Sequence, residues 1–228
     1  QVYSARNFKP YDSIFKFLSE QGMQNVELFE VEAFEETKDL LKKYDLTAKS
    51  SHIGFHTLKN TNEIISSLKK LNVKHAIIPC PVGKPGGKFE AIFDKNEEEW
   101  NDFGKELSSY VQVFEDHGIT LGYHNHAFEF NKLPSGKMPL ECILDHNEKL
   151  KYEIDLGWVV AGNADPRRRA FGKSLKFLNI VFFPSQVTST EGNSKRLSVF
   201  TLDIFFSIRF LLYFFNRCPQ WKTVTEPY

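Results

Sequence analysis

The feature that most constrains this chain is a hydrophobic period that switches back and forth between two and about 3.6 residues along its first 155 positions. Residues 1–5 (QVYSA) alternate as a strand does, and residues 11–21 set Ile14, Phe17 and Leu18 on one helical face before Gly22. Asn25–Phe29 (NVELF) reads as a second strand and residues 31–44 as a second helix. Residues 47–53 (TAKSSHI) read as the third strand, and residues 61–71 as a helix carrying Ile64, Ile65, Leu68 and Leu71. Residues 75–79 (HAIIP) form a short buried strand, followed by a long amphipathic helix over 96–117 that stops at Gly118. Thr120–His124 and Lys151–Asp155 complete six strands, with a short helix over 139–145 between them. Strands separated by helices at this spacing imply right-handed crossovers and a parallel sheet.

The units recur every 25 to 30 residues, which favours a barrel of eight over an open sheet, although eight such units need about 250 residues and this chain has 228. A doubly wound sheet is the competing architecture, and the absence of a G-x-G-x-x-G after the first strand removes its usual dinucleotide-binding version. The Gly-rich run 83–88 (GKPGGK) lacks the spacing and the Ser or Thr of a phosphate loop, so it reads as a mobile strand-to-helix loop. The fold class is therefore α/β, a TIM (β/α)8-type barrel that becomes incomplete or irregular after the sixth strand.

Charge and cysteine content narrow the partners. Twenty-nine basic residues balance 29 acidic ones, which offers no general field for a polyanion and argues against nucleic acid. The three cysteines, Cys80, Cys142 and Cys218, are odd in number and far apart, so neither a disulfide framework nor a structural zinc site is expected. That usage fits a reducing compartment and weakly favours the cytoplasm. The chain opens on Gln1 with no signal-peptide pattern, so the sequence itself carries no address.

Chemistry-bearing residues concentrate in 121–130 (LGYHNHAFEF) and 152–166 (YEIDLGWVVAGNADP). Alternation along a strand makes His124 and His126 project together, and likewise Glu153 and Asp155. Two imidazoles and two carboxylates arranged in this way suit a divalent-metal or acid/base site.

The segments QVYSAR, NVELF, SSHIGF, HAIIPCP, LGYHNHAFEF and YEIDLGWVVAGNADP, taken in order, resemble the sugar phosphate isomerase/epimerase family with the xylose-isomerase-like TIM barrel. The resemblance covers residues 1 to about 166, and YHNHAFEF together with EIDLGW is its specific part. It implies a site at the C-terminal ends of the strands and a divalent metal held by side chains from strands five to eight. It also implies proton transfer between neighbouring carbons of a small carbohydrate through an enediolate. Carried over residue by residue, it places metal ligands at His124, where many relatives have a glutamate, and at Asp155. Imidazole and carboxylate suit Mn, Zn, Co or Fe, with Mg also in range, better than Ca. His126 and Glu27 are the catalytic candidates, and Arg6, His52, Glu129 and Trp158 the substrate-binding ones.

Each residue also has a structural reading. His52 at a strand end can be hydrogen-bonded scaffolding, Glu153 a buried carboxylate paired inside the barrel, Glu129 a loop brace, and Trp158 and Phe128 packing or pocket walls. His75, Cys80 and Cys142 read as structural, and Arg167–Arg169 as a solvated cluster.

After Asp165 and Pro166 the likeness ends. Relatives continue to a seventh strand with a His-x-Lys-Asp type segment and an eighth ending in glutamate, yet no histidine follows His146 here. Residues 176–183 (KFLNIVFF) can supply a strand but no ligand, and Glu226 is the one late carboxylate able to replace that glutamate. Residues 171–228 hold ten of the 22 phenylalanines and 7 Lys/Arg against 3 Asp/Glu, so the division is a barrel region over 1–170 and an atypical Phe-rich tail over 171–228 that reads as non-homologous sequence. Within the tail, residues 197–215 are apolar enough to raise a membrane helix, but Asp203 and Arg209 lie inside that span, so no membrane partner is expected. The function expected is a metal-dependent sugar or sugar phosphate isomerase or epimerase. A lyase or dehydratase on a keto-sugar or cyclic polyol is the close variant, and a truncated, inactive barrel the alternative of a different class. A repair endonuclease ranks third because the net charge is zero and basic clusters are few.

Overall fold

A computed structural model describes residues 1–5, 8, 10–29, 34–82, 92, 94–164 and 177–181. Six strands occur among them: β1 (Asn25–Phe29), β2 (Thr47–His52), β3 (His75–Ile78), β4 (Thr120–His124), β5 (Lys151–Asp155) and β6 (Phe177–Val181). They form one sheet in the order β1-β2-β3-β4-β5-β6, every neighbouring pair parallel. Helix α1 (Tyr11–Glu20) precedes β1, and between the strands run α2 (Phe34–Lys43), α3 (Thr61–Lys70), α4 (Glu97–Ser109), α5 (Val111–Glu115), α6 (Pro139–Leu144) and α7 (Leu156–Ala161).

The sheet is strongly curled. Strands β2 and β5 are three places apart, so their facing side chains would be about 14 Å apart if the sheet were flat at the usual spacing of about 4.8 Å. Instead, Nε2 of His52 on β2 lies 2.9 Å from Oε2 of Glu153 on β5. That approach requires the inner face to close on itself as the wall of a barrel does. The register puts His52, Ile77 and Gly122 side by side and then His124 beside Glu153, so these residues share the inner face. Gly122 leaves the space that Ile77 fills, since a Cβ there would come 2.9 Å from Cδ1 of Ile77.

The outer face carries the core under the helices. Ala76, Ile78, Leu121, Tyr123, Tyr152 and Ile154 are buried with Leu68, Phe103, Leu107, Phe114, Leu140 and Ile143 from the helical layer. Helix α4 starts on a capping box in which Asn96 accepts from the Glu99 backbone N–H at 3.0 Å and Glu99 accepts from that of Asn96 at 2.8 Å. It packs closely on α6 because Gly104 has no side chain: a Cβ would sit 2.6 Å from the Cys142 carbonyl oxygen.

Two expectations are corrected. Residues 1–5 are not a strand: Val2–Ala5 is a 3-10 helix that buries Val2, and Tyr3 packs edge-on against Phe29 at 5.3 Å. Five alternating residues carry too little pattern to distinguish the two periods, since Val2 and Ala5 are also spaced as one 3-10 turn. The single long helix over 96–117 is two helices, α4 and α5, separated at Tyr110, whose N–H bonds to the Leu107 carbonyl at 3.2 Å in a tightened turn. The candidate strand within 176–183 is present as β6, parallel to β5.

The chain divides into two units, Gln1–Ser185 and Gln186–Tyr228. The second unit, the 83–88 loop, the Arg167–Arg169 cluster, the apolar 197–215 stretch and Glu226 lie outside the described residues. Among the described residues no helix is long and apolar enough to cross a membrane. Cys80 and Cys142 are free thiols.

Candidate functional site

At the C-terminal ends of the strands the inner face turns from apolar to ionisable. Glu27 from β1, His52 from β2, His124 from β4 and Glu153 from β5 converge there. Glu153 is the hub and is 0% exposed. Its Oε2 lies 2.9 Å from Nε2 of His52 and 3.1 Å from Nδ1 of His124, and the two rings are 4.9 Å apart. Oε1 of Glu27 is 3.4 Å from Nε2 of His52, and Ser50 donates to Oε2 of Glu27 at 2.7 Å. The side-chain nitrogen of Gln1 lies 2.9 Å from the His52 ring nitrogens, capping that ring from the N-terminal segment.

Burial tunes each group separately. Burial raises the Glu27 carboxyl to about 7, opposed by His52 and reinforced by the neighbouring Glu153. It lowers His124 to about 4, against the pull of Glu153, so this imidazole is neutral at physiological pH and able to act as a ligand. Burial alone would raise Glu153, but hydrogen bonds from His124 and His52 outweigh it and hold that carboxyl well below the usual range. A buried carboxylate flanked by two imidazoles is thus ionised, and among the described residues no lysine or arginine pairs with it.

Asp155 has a different place. Its Oδ1 accepts from the Trp158 backbone N–H at 3.1 Å, which makes it the N-cap of α7. Burial raises its carboxyl to about 6. Asn125, fully buried, clamps its backbone: Oδ1 of Asn125 accepts from the Asp155 N–H at 2.9 Å and from the Tyr152 hydroxyl at 2.7 Å, and Nδ2 donates to the Asp155 carbonyl at 3.1 Å.

His126 stands beside this group, its ring 5.2 Å from that of His124, stacked on Phe128 at 5.5 Å and 5.4 Å from that of Trp158. Glu129 braces the same loop, accepting from the His126 backbone N–H at 2.7 Å and from the Tyr123 hydroxyl at 2.7 Å. Its Oε1 is 3.9 Å from Nδ1 of His126. Arg6 lies outside the described residues.

The structure therefore brings Glu27, His52, His124 and His126 to one mouth. It gives Glu129 and Asp155 hydrogen-bonding work at the rim, and leaves Trp158 half-buried beside His126. Two residues have larger parts than the sequence suggested. Glu153 is the centre of the cluster, and its position two residues before Asp155, on the face shared with His124, was the signal that pointed to it. Asn125 gave no signal, because its contacts reach across 27 and 30 residues.

His52, His124 and Glu153 each offer a ligand atom, and these atoms all lie within 4.8 Å of one another. The donor set fits a borderline divalent ion. Among the described residues, three buried carboxylate oxygens at the mouth, Oε1 of Glu27, Oε1 of Glu153 and Oδ2 of Asp155, meet no N–H or hydroxyl donor, and the Glu27 and Glu153 carboxyls bond one another when Glu27 is protonated. Each such oxygen costs about 1–3 kcal/mol unless a cation or a hydroxyl meets it.

No family model and no curated protein matches this chain. Solved structures do. A sugar phosphate isomerase/epimerase from Parabacteroides distasonis is 21% identical with a TM-score of 0.54, over 73% of this chain and 67% of its own. A 3-keto-D-glucoside 4-epimerase from E. coli is 13% identical with a TM-score of 0.51, over 77% and 75%. A D-psicose 3-epimerase is 9% identical with a TM-score of 0.51, over 77% and 68%. The chain spans about two thirds to three quarters of the length of these proteins. At such identities the likeness speaks for fold, and that fold is the xylose isomerase-like TIM barrel, of which the described residues carry six parallel strands.

Proposed function

We propose that this mouth catalyses metal-assisted proton transfer next to the carbonyl of a small carbohydrate, as an isomerase or epimerase does. The observation that carries this reading is the set of three buried carboxylate oxygens that meet no N–H or hydroxyl donor among the described residues, grouped at the mouth beside two buried imidazoles. A polyhydroxylated substrate and a cation are the two kinds of partner that satisfy such oxygens. A bound divalent ion would polarise a substrate carbonyl and its neighbouring hydroxyl, making the adjacent C–H more acidic.

The chain's own residues do the rest. Glu27, nearly dry and lifted to about 7, can take a proton and return it near neutral pH, and Ser50 fixes which oxygen it presents. His126, held between aromatic rings at the rim, can shuttle a proton to the second carbon. The faces of Phe128 and Trp158 suit the apolar side of a sugar. His52 and Glu129 complete the polar lining, and Arg6 is assigned to the substrate by the sequence resemblance alone.

The test is solvent exchange. Full-length protein loaded with Mn2+ should incorporate deuterium from D2O at the carbon next to the carbonyl of ketohexoses or 3-keto-glucosides, read by NMR. Glu27→Gln should lower that rate at least 100-fold while keeping its metal. A metal-loaded protein that exchanges none of these substrates would refute the proposal.

A further inference from the structure

We infer that this chain carries its divalent cation on His52, His124 and Glu153, drawn from β2, β4 and β5, with Asp155 serving as a helix cap rather than as a ligand. The inference deepens the reading above by naming the ligand set. It departs from the set that the sequence resemblance implies, which pairs His124 with Asp155 and completes the sphere from the seventh and eighth strands.

Three observations support it. First, ligand atoms about 2.1 Å from an ion in tetrahedral array are about 3.4 Å apart. The contacts of 2.9 and 3.1 Å from Glu153 to the two imidazoles, with the whole set inside 4.8 Å, span that spacing, so an ion needs only small side-chain shifts. Second, Asp155 is committed elsewhere. One of its carboxylate oxygens caps α7 and both of its backbone polar groups are tied to Asn125, and no Asp155 oxygen joins the group of ligand atoms within 4.8 Å of one another, which leaves Oδ2 for a substrate hydroxyl. Third, Glu153 is fully buried and, among the described residues, its second oxygen meets no N–H or hydroxyl donor, the protonated Glu27 carboxyl being the neighbour that bonds Glu153, although a buried carboxylate in a finished hydrogen-bond network normally has both oxygens satisfied.

Three protein ligands with a further position open is the arrangement of a catalytic ion, and a structural ion is usually closed by four. The set also lies wholly within the first 153 residues, so the strand-seven histidine that the chain lacks is not needed for binding.

Equilibrium dialysis of the full chain against Mn2+ and Zn2+, with metal counted by mass spectrometry, separates the two ligand sets without recourse to activity. His52→Ala and Glu153→Gln should each weaken binding at least 100-fold. Asp155→Asn, which keeps a capping oxygen, should change it less than threefold. The opposite pattern, with Asp155→Asn abolishing binding and His52→Ala sparing it, would overturn the inference and leave the proposed reaction standing. Binding that survives all three variants, or no binding by the parent chain, would also overturn it. Far-UV circular dichroism and a urea midpoint for each variant show that a loss of metal is not a loss of fold.

Discussion

Glu27 is a carboxyl in a nearly dry setting, with the Ser50 hydroxyl on one oxygen and the His52 ring 3.4 Å from the other. Raised in the folded state to about 7 from the usual 4.5, it keeps a proton that the unfolded chain has already released. Its contribution to stability is therefore complete below about pH 4.5 and fades as pH rises towards about 7. In metal-free protein, Glu27→Gln should abolish that fade. The difference in urea unfolding free energy between the two chains should shift by on the order of 1–3 kcal/mol between pH 4.5 and 7.5. Parallel curves would show that Glu27 is not raised. Subtracting one chain from the other matters because His124, depressed to about 4, has the opposite slope: its contribution is present above its usual value and lost as pH falls. At this scale the sequence was legible where alternation decides. It placed Glu27, His52, His124 and Glu153 on strands whose C-terminal ends face one mouth. It could not rank Glu153 above Asp155, because that depends on which carboxylate the curl turns inward and which the next helix claims.

At the level of elements, the joint between β4 and β5 is where the site is held in shape. Regular pairing ends at His124 opposite Glu153, and one residue later the Asn125 carboxamide takes over as a stand-in for a peptide group, bonding both the N–H and the carbonyl of Asp155. Removing it takes the side-chain acceptor from the buried Asp155 N–H and from the Tyr152 hydroxyl. Asn125→Ala should therefore cost about 2–4 kcal/mol in urea unfolding, and Tyr152→Phe, which removes a single bond of the same network, about 1 kcal/mol. Equal effects would mean that the clamp on Asp155 contributes nothing. Strands β1, β3, β4 and β5 were readable from short runs carrying Val, Ile, Leu or Tyr between turns, as a parallel sheet covered by helices demands, whereas β2 (TAKSSH) was placed by its spacing between two helical stretches. The first five residues and the break at Tyr110 were not, because one is too short to show a period and the other is a local tightening inside a continuous amphipathic pattern.

For the whole molecule, the decisive property is curvature. No sequence pattern states that β2 and β5 touch, yet the ion site exists only if they do. The relation follows from strand tilt and closure, which are properties of the sheet as a unit. The family likeness of residues 1 to about 166 supplied that architecture in advance, and its lapse beyond that point is why the ligands expected from later strands could not be assigned. The most direct measurement is X-ray absorption at the zinc edge of the full chain loaded with one equivalent of Zn2+. Two imidazoles, with their outer-ring scattering, and one carboxylate should surround the ion. A spectrum with one imidazole or none would show that His52 and His124 do not meet at a common ion, and would contradict the account.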